Sequence, residues 1–327
     1  MKAIIIGLGS MGQRRIRLIQ KLYPGMNLCG VDAQQTRREN AVKKWKISAY
    51  ADTNEAIAAE QPDIALVCTS PLSHAAIIHE CLQGGLHVFT ELNLVPDGYK
   101  ENIALAREKG KLLFLSSTFL YRDETRFICR QAQAQSKTLS YRYHVGQYLP
   151  DWHPWEDYTS YFIGDARTNG CRELLAIELP WLIQAFGTID GIRAARRKLT
   201  TLNTAYDDCI FLLINHKNGT IGSVCVDVVS RKAVREFEMI GEDIYLSWNG
   251  TPDSLRLFDL EKRQDVVVQP SDDIDRQEGY AAFVIENAYA SELKAFIEAV
   301  NGGTAPKYDF AEDMETLRLI DEVESQK

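Results

Sequence analysis

The first 120 residues alternate short apolar runs with segments of helical periodicity. The apolar runs have the length of strands and are KAIIIG, MNLCGVD, DIALVCTS, LHVFTE and LLFLSST. Between them, segments such as SMGQRRIRLIQKLY space apolar residues three and four positions apart, which predicts amphipathic helices. Strands this apolar are buried on both faces. The pattern therefore predicts an α/β fold that begins with a parallel sheet covered by helices on both sides.

After about residue 120 the pattern changes to longer runs of strand character. One helix is predicted over 123–135, and LSYRYHVGQYL and CIFLLINHKNGTIGSVCVDVV are among the strand-like runs that follow. In the second of these runs Asn218-Gly219 separates two apolar halves, which is a strong signal for a β-hairpin. Helical periodicity returns over 174–186, 288–300 and 311–323. This part is predicted to be a mostly antiparallel sheet with helices.

Composition fits a soluble protein of two domains and excludes several classes of function. The chain has 327 residues, 45% of them hydrophobic and 25% charged, and its net charge is −8. This acidic balance argues against nucleic acid and anionic membrane surfaces as partners, because both require a basic face. No apolar run reaches the roughly 18–20 residues of a membrane span.

The chain start and the cysteines favour a reducing compartment. MKAIIIGLGSMG enters a strand directly and lacks the pattern of a signal peptide. The seven cysteines form no CxxC pair, so we expect free thiols in the cytoplasm. The six histidines show no HExxH or related spacing, so no metal site is expected.

The segment GLGSMG ends the first strand and opens the first helix, which places Gly7, Gly9 and Gly12 in GxGxxG spacing. The first glycine permits the tight turn, the second lets the backbone approach a pyrophosphate, and the third lets the helix pack on the strand. The helix amino terminus then offers free N–H groups to phosphate. Asp32 ends the second strand about 20 residues later, where a ribose-binding acid belongs. Together these features predict a dinucleotide site.

Asp32 favours NAD, because a carboxylate binds the ribose 2′-hydroxyl and repels a 2′-phosphate. Arg37 and Arg38 leave NADP as an alternative, since either could pair with a 2′-phosphate or stack on adenine, although both also suit a solvated helix face. We include Arg37 among the cofactor-binding residues. The remaining residues of the glycine turn, Leu8, Ser10 and Met11, belong to the same predicted set.

Taken together, the motifs resemble those of the Gfo/Idh/MocA family of oxidoreductases, named for glucose-fructose oxidoreductase and inositol dehydrogenase. The resemblance runs nearly from end to end, through AIIIGLGSMGQRRIR, CTSPLSH, FTELNLV, FLYRDETRF and the closing YASELKAFIEAVNGG. It implies a Rossmann domain over 1–120 that binds NAD(H) or NADP(H). It also implies an α+β domain over 121–327 with a mostly antiparallel open sheet, whose carboxy-terminal helices pack back on the fold.

The resemblance further implies hydride transfer to or from a sugar, sugar nucleotide or polyol, and a homo-oligomer (dimer or tetramer). Its cofactor-binding segments match this chain at Thr69, Ser70 and His74 in CTSPLSH, and at Glu91 and Asn93 in FTELNLV.

The same alignment shows that two catalytic side chains of the family are absent. FTELNLV stands where the family has a Glu-Lys-Pro triplet, so that Leu92 replaces the acid/base lysine and Asn93 the proline. A later helix of the family carries an inward histidine and a downstream aspartate. In GCRELLAIELPWLIQAFG these positions are Ile177 and Pro180. The chain therefore needs another group to move a proton.

Three residues are candidates for that proton transfer. His153 lies in the polar, aromatic stretch DWHPWEDY and titrates near neutrality, although a loop histidine would look the same. Glu178 lies on an otherwise apolar helix, where a carboxylate must be either paired or functional; we expect it to face the nicotinamide. Tyr121 could donate from its phenol or simply pack. Four further residues are predicted to bind substrate: Trp152, Trp155, Arg172 and Glu173.

Two functions stay open at this point. The first is an NAD(P)-dependent oxidoreductase in which new groups move the proton. The second is a catalytically degenerate sensor or partner subunit that binds the dinucleotide without turnover, and the absent lysine and histidine favour it. A nucleic-acid-binding regulator is disfavoured by the acidic balance and by the absence of a basic recognition helix.

Overall fold

The computed structural model describes residues 1–153, 156–271, 273–276 and 284–326. These residues divide into two compact units. Unit 1 comprises Met1–Ser117 and Ala290–Met314, and unit 2 comprises Thr118–Tyr289 and Glu315–Lys327. Within the described residues, no helix combines the length and the apolar character needed to cross a membrane.

Unit 1 contains a six-stranded parallel sheet. Its strands are β1 Lys2–Ile6, β2 Asn27–Val31, β3 Ser48–Tyr50, β4 Ile64–Val67, β5 His87–Thr90 and β6 Leu113–Leu115. Their order is β3-β2-β1-β4-β5-β6, and every neighbouring pair is parallel. The chain order reverses between β1 and β4, and in doubly wound sheets the ligand crevice lies at that reversal. The predicted Rossmann sheet is thus confirmed.

The helices of unit 1 follow the strands one by one. They are α1 Ser10–Leu22, α2 Gln35–Trp45, α3 Thr53–Glu60, α4 Pro71–Gln83 and α5 Tyr99–Lys109. The strands between them are apolar because helices cover them, and Ile4, Ile5 and Leu66 are inaccessible to solvent. The helix α8 Glu286–Val300 adds Phe296, which packs edge-on against Phe89 at 5.5 Å between ring centroids.

Unit 2 is built on an eight-stranded sheet. Its strands are β7 Ser140–Gly146, β8 Ile189–Arg197, β9 Cys209–His216, β10 Ile221–Asp227, β11 Val234–Ile240, β12 Tyr245–Trp248, β13 Arg256–Asp259 and β14 Gln264–Val267. The order is β14-β13-β12-β11-β7-β10-β9-β8, with only β7 and β10 parallel. The mostly antiparallel sheet is confirmed. So is the hairpin at Asn218-Gly219, where Gly219 takes a positive φ of 88° between β9 and β10.

One face of this sheet is buried and the other is open. The remaining helices are α6 Asp123–Gln133, α7 Gly170–Phe186 and α9 Phe310–Ser325. Helix α7 covers the inner face, where Val224 and Val226 are at most 2% exposed. On the outer face Phe211 is 59% and Leu213 45% exposed.

Helix α7 begins four residues earlier than the sequence periodicity predicts. The side chain of Asn169 accepts the Arg172 amide at 2.8 Å, which caps the helix before its apolar stretch begins.

Candidate active site

The glycine turn of unit 1 has a geometry that side chains would destroy. Gly7 has φ of +91°, and a Cβ there would lie 2.6 Å from the Cys68 carbonyl oxygen. A Cβ on Gly12 would lie 1.9 Å from the Gly7 oxygen, so α1 packs directly on the turn. By contrast, the nearest atom to a Cβ on Gly9 would be the Arg37 guanidinium at 3.7 Å. The backbone is therefore open at the glycine whose role is to approach a pyrophosphate.

The amino terminus of α1 fits an anion. Its N-cap residue is Gly9, which has no side chain to cap the first turn, and no acid lies within that turn. Leu8 is 1% exposed, so that this residue can contact a ligand chiefly through its backbone. Ser10 is exposed and Met11 half-buried, which places both predicted contacts at the surface of the turn. Oriented N–H groups and the helix dipole together favour a phosphate here.

Asp32 is fixed at the end of β2 by backbone amides. Its carboxylate accepts the N–H of Leu8 and the N–H of Gln34, each at 2.8 Å. The Arg37 guanidinium lies 3.5 Å from the same carboxylate and is 43% exposed. Arg38 instead donates to the carbonyl oxygen of Asp32. Of Arg37 and Arg38, Arg37 is therefore the one beside the Asp32 carboxylate, which the sequence predicts to bind ribose.

His74 joins the ends of β4 and β5 in a buried polar network. Its Nε2 lies 3.0 Å from the Thr69 carbonyl, and its Nδ1 contacts the Asn93 amide and, at 3.2 Å, the Thr90 hydroxyl. Burial lowers the pKa of His74, so its ring is neutral at pH 7. Nε2 faces the Thr69 carbonyl oxygen and Nδ1 the Asn93 amide oxygen, so a neutral ring donates its single N–H to one of these two acceptors. Ser70 is the residue immediately before α4 and caps no amide with its side chain.

Glu91 takes part in an ion cluster that the sequence reasoning missed. Its carboxylate receives Arg15 Nε at 2.6 Å, and Nη2 of the same arginine lies 2.7 Å from Glu292. Glu292 also accepts the backbone N–H of Ser117. Burial raises the pKa of Glu292 against the opposing effect of Arg15. A usable signal existed, because Arg15 follows Met11 and precedes Ile19 at four-residue spacing on the core stripe of α1.

The position of the missing lysine is only partly covered. Leu92 is half-buried directly after β5, between the buried residues Glu91 and Asn93. An aliphatic side chain there holds no proton.

In unit 2, helix α7 is buried along most of its length, and Glu173 and Ile177 are two of its four residues that are not buried. These two residues are four positions apart and so lie on one helix face. Ile177 is the position that aligns with the family's histidine. One turn before it, α7 presents a carboxylate.

The carboxylate of Glu173 lies close to the phenols of Tyr161 and Tyr206. Burial raises its pKa to about 7, and the side chain has no ion pair or hydrogen bond within the described part of the chain. Burial also raises the pKa values of Tyr161 and Tyr206, and the charge of Glu173 adds to both effects. The buried hydroxyl of Tyr161 lacks a hydrogen-bond partner among the described residues. The Glu173 carboxylate and the Tyr161 hydroxyl could therefore each form a hydrogen bond with a ligand.

Two residues predicted from the sequence lie near Tyr161 and the start of helix α7. The ring of His153 stacks on Tyr161 at 4.8 Å, and its Nδ1 lies 2.8 Å from Glu156. Trp152 donates from its indole to the Gln147 carbonyl at 2.9 Å, and its ring lies beside Gly170. Trp155 falls outside the described residues. We call the group of Trp152, His153, Tyr161, Glu173 and Tyr206 the Glu173 cluster.

The other three predicted residues have partners or are packed. Glu178 is fully buried and forms an ion pair with Arg235, while its second oxygen receives Tyr143 and Trp181, each at 2.7 Å. The sequence left two alternatives for Glu178, a structural ion pair or a catalytic role, and the structure shows the ion pair. Arg172 forms ion pairs with two carboxylates of α9, Asp321 and Glu324. Tyr121 is 5% exposed at the end of a 3₁₀ turn.

Comparison with known proteins identifies the amino-terminal unit. Residues 1–117 match the profile of Gfo/Idh/MocA, described as an oxidoreductase family with an NAD-binding Rossmann fold. Mouse biliverdin reductase A is 26% identical over 133 residues, which covers 39% of this chain and 43% of the mouse protein. The chain thus spans less than half the length of this relative.

Solved structures share the fold of almost the whole chain. A UDP-N-acetylglucosamine 3-dehydrogenase from Acidithiobacillus ferrooxidans superposes with a TM-score of 0.76 at 17% identity, covering 99% of this chain and 96% of that one. Biliverdin reductase from Synechocystis, in complex with biliverdin and NADP+, gives 0.75 at 18% identity, with 98% and 97% covered. At such identities the likeness establishes the fold. The match to the Gfo/Idh/MocA oxidoreductase family is established for residues 1–117, the NAD-binding Rossmann unit.

Proposed function

We propose that this protein is an NAD(P)-dependent oxidoreductase of a sugar-like substrate in which Glu173 moves the proton. The observation that carries the proposal is the half-buried carboxylate of Glu173, which has no partner among the described residues and a pKa of about 7. General acid/base catalysis works best when the pKa of the catalytic group lies near the operating pH. Glu178, on the same helix, is instead held in an ion pair with Arg235.

The residues of unit 1 supply the cofactor site. The backbone around Gly9 and the first turn of α1 would hold the pyrophosphate, and Asp32 would hold the adenosine ribose. When bound, the nicotinamide carries the hydride. Arg37 beside Asp32 supports tolerance of a 2′-phosphate, so we propose NAD as the preferred cofactor and NADP as a weaker one.

Glu173 performs the matching proton transfer. As a carboxylate it accepts the proton of a substrate hydroxyl when the carbinol carbon is oxidised. As a carboxylic acid it returns that proton to the oxygen when a carbonyl is reduced. Because its pKa is about 7, both forms are populated at neutral pH, and the reaction can run in either direction.

The Glu173 cluster supports a ring-shaped, hydroxyl-rich substrate. Aromatic faces at Trp152 and Tyr161 suit the apolar face of a sugar ring. The phenol of Tyr161 and the carboxylate of Glu173 offer hydrogen bonds to hydroxyl groups. The likeness to a UDP-N-acetylglucosamine dehydrogenase supports a sugar nucleotide in particular.

A substrate panel tests the proposal. Purified protein is mixed with NAD(H) or NADP(H), and absorbance of the reduced cofactor is followed with UDP-N-acetylglucosamine, a free hexose, inositol and biliverdin. Biliverdin belongs in the panel because two similar proteins are biliverdin reductases. We expect turnover of a sugar-like compound that is lost in Glu173→Gln and kept in Glu261→Gln, a matched change at an exposed carboxylate outside the Glu173 cluster.

The rival function predicts a different result from the same panel. A degenerate sensor or partner subunit would bind NAD(H) and turn over no compound. Leu92 and Ile177 in place of the family's lysine and histidine support that function. Calorimetry with NADH alongside the panel separates the two, since binding without turnover would favour the sensor and absence of binding would contradict both.

We also propose that the protein forms a homo-oligomer through the outer face of the unit 2 sheet. Three large apolar residues support this surface, because Phe211, Leu213 and Ile221 are each 45–59% exposed. Light scattering after size exclusion tests it. We expect a dimer or larger assembly that dissociates when Phe211 is replaced by Arg, whereas a wild-type monomer would contradict the proposal.

A further inference from the structure

Three strands of unit 2 bring metal-binding side chains to one spot on the outer sheet face. β7, β10 and β9 are neighbours in the sheet. In their register Cys225 lies opposite His144, and Asp227 lies opposite Cys209. Because alternate residues of a strand share a face, all four side chains point to the face opposite α7.

The donor atoms of three of these residues converge. One nitrogen of His144, the thiol sulfur of Cys225 and one carboxylate oxygen of Asp227 all lie within 4.8 Å of one another. Nε2 of His144 is 2.7 Å from the Asp227 oxygen. This nitrogen and this oxygen can bind a common ion once the hydrogen between them is removed.

Asp227 is held in place from behind. Its Oδ1 accepts the backbone amides of Val229 at 2.9 Å and Ser230 at 2.7 Å, and the Ser230 hydroxyl donates to Oδ2 at 3.0 Å. The side chain is 4% exposed, whereas that of His144 is 39% exposed. A rigid buried carboxylate and an accessible imidazole together form a prepared site that an ion can enter from the outer face.

The chemistry of the donors selects a class of ion. A thiolate, an imidazole and a carboxylate suit Zn²⁺ or Co²⁺, while Ca²⁺ and Mg²⁺ prefer oxygen ligands. A His–Asp pair alone would serve as an ordinary ion pair. The thiol of Cys225 at the same spot, with the thiol of Cys209 beside it, adds the sulfur donors of a zinc-type site.

We propose that His144, Cys225 and Asp227 bind a zinc-class divalent ion on the outer face of the unit 2 sheet. The ion ties β7 to β10 at the only parallel pair in that sheet. Ligation requires loss of the Cys225 thiol proton and of the proton between His144 and Asp227. The site is independent of Glu173, so that it stands whether or not the proposed hydride transfer is found.

Cobalt titration of the full-length protein tests the site. The protein is stripped with a chelator, dialysed and titrated anaerobically with Co²⁺ while the absorption spectrum is recorded. We expect one equivalent to produce a thiolate-to-cobalt charge-transfer band that Zn²⁺ abolishes by displacement. Co²⁺ binding without the charge-transfer band would overturn the proposal, and so would the absence of stoichiometric Co²⁺ binding. Both outcomes are read from the wild-type protein alone.

Variants then assign the ligands. Cys225→Ser should abolish the band, and His144→Gln should weaken Co²⁺ binding by about 100-fold or more. Cys68→Ser is the matched control, because Cys68 is the only other free cysteine that is half-buried rather than buried, and it should keep the band. Zn²⁺ should also raise the melting temperature of the wild type but not of Cys225→Ser. A band that persists in Cys225→Ser would overturn the assignment.

Discussion

Glu173 and Glu178 lie five residues apart on α7 and have opposite environments. Glu178 is fully buried and is satisfied by Arg235, Tyr143 and Trp181. Glu173 is half-buried, has no partner within the described residues, and its pKa is raised to about 7. Burial alone does not make a carboxylate reactive. A buried charge with a complete set of partners contributes to structure, whereas one without partners is available to hold a proton.

The largest expected effect is on stability, at Glu178. Replacing Glu178 by Ala removes the carboxylate that faces the buried Arg235 charge, and we expect the free energy of unfolding to fall by about 3–5 kcal/mol. Urea denaturation measures this loss. The double variant Glu178→Leu with Arg235→Met should recover much of the stability, because it removes both charges. A single variant as stable as the wild type would contradict the structural role of the pair.

The next largest effect is on catalysis, at Glu173. Glu173→Gln keeps the shape of the side chain and removes its titratable carboxyl group, so we expect kcat to fall by about 10²–10⁴-fold. Assay of reduced cofactor with the best panel substrate measures it. Glu173→Asp should keep part of the rate and Glu261→Gln, at an exposed carboxylate outside the cluster, all of it. Full activity in Glu173→Gln would remove this residue from the mechanism.

The same variant should change stability in a pH-dependent way. The raised pKa of Glu173 means that the folded state retains a proton up to about pH 7, whereas the unfolded chain loses it near the ordinary 4.5. This stabilising contribution is present at low pH and is lost as pH rises through about 7. Glu173→Gln should therefore gain stability relative to the wild type between pH 5 and 8. Melting curves across this range test the sign, and a constant difference would contradict it.

Asp32 is a third carboxylate and contrasts with both, because its expected role is binding. Asp32→Ser removes a charged acceptor of the ribose hydroxyls, and we expect NAD affinity to fall by about 10–100-fold while NADP changes less. Calorimetry with both cofactors tests this. Arg37→Ala is the companion variant and should weaken NADP more than NAD. Equal affinities in wild type and Asp32→Ser would contradict the assignment of this acid.

The smallest effect is expected at Leu92. If Glu173 moves the proton, then Leu92→Lys should leave kcat within about threefold of the wild type, because the reaction does not depend on a lysine at position 92. Adding Ile177→His to it tests whether the family's pair can act on this scaffold. A tenfold or greater gain from the lysine alone would indicate that the position beside Glu91 is still the centre of proton chemistry.

The cofactor corner could be predicted from sequence because backbone geometry determines it. Gly7 and Gly12 have no room for a side chain, so the motif and the structure carry the same information. Asp32 follows from its place at the end of β2. Both sheets were predictable for a similar reason, since strand periodicity and the Asn218-Gly219 hairpin are local signals.

The polar clusters could not be predicted because their members are distant in sequence. Arg15 reaches Glu292 across 277 residues, and Glu178 reaches Arg235 across 57. His144, Cys225 and Asp227 meet only because β7 pairs with β10, so a search for linear metal motifs does not find them. For Glu173 the sequence indicated a substrate contact, and only the burial seen in the structure suggests a proton carrier.

The pH dependence of kcat/KM in wild type and Glu173→Gln tests the central claim most directly. For oxidation of the substrate, the wild-type value should rise with pH through an inflection near 7, because the carboxylate form of Glu173 is the base. In Glu173→Gln that inflection should be absent from a much lower profile. An unchanged inflection in the variant would contradict the account, because another group would then be carrying the proton.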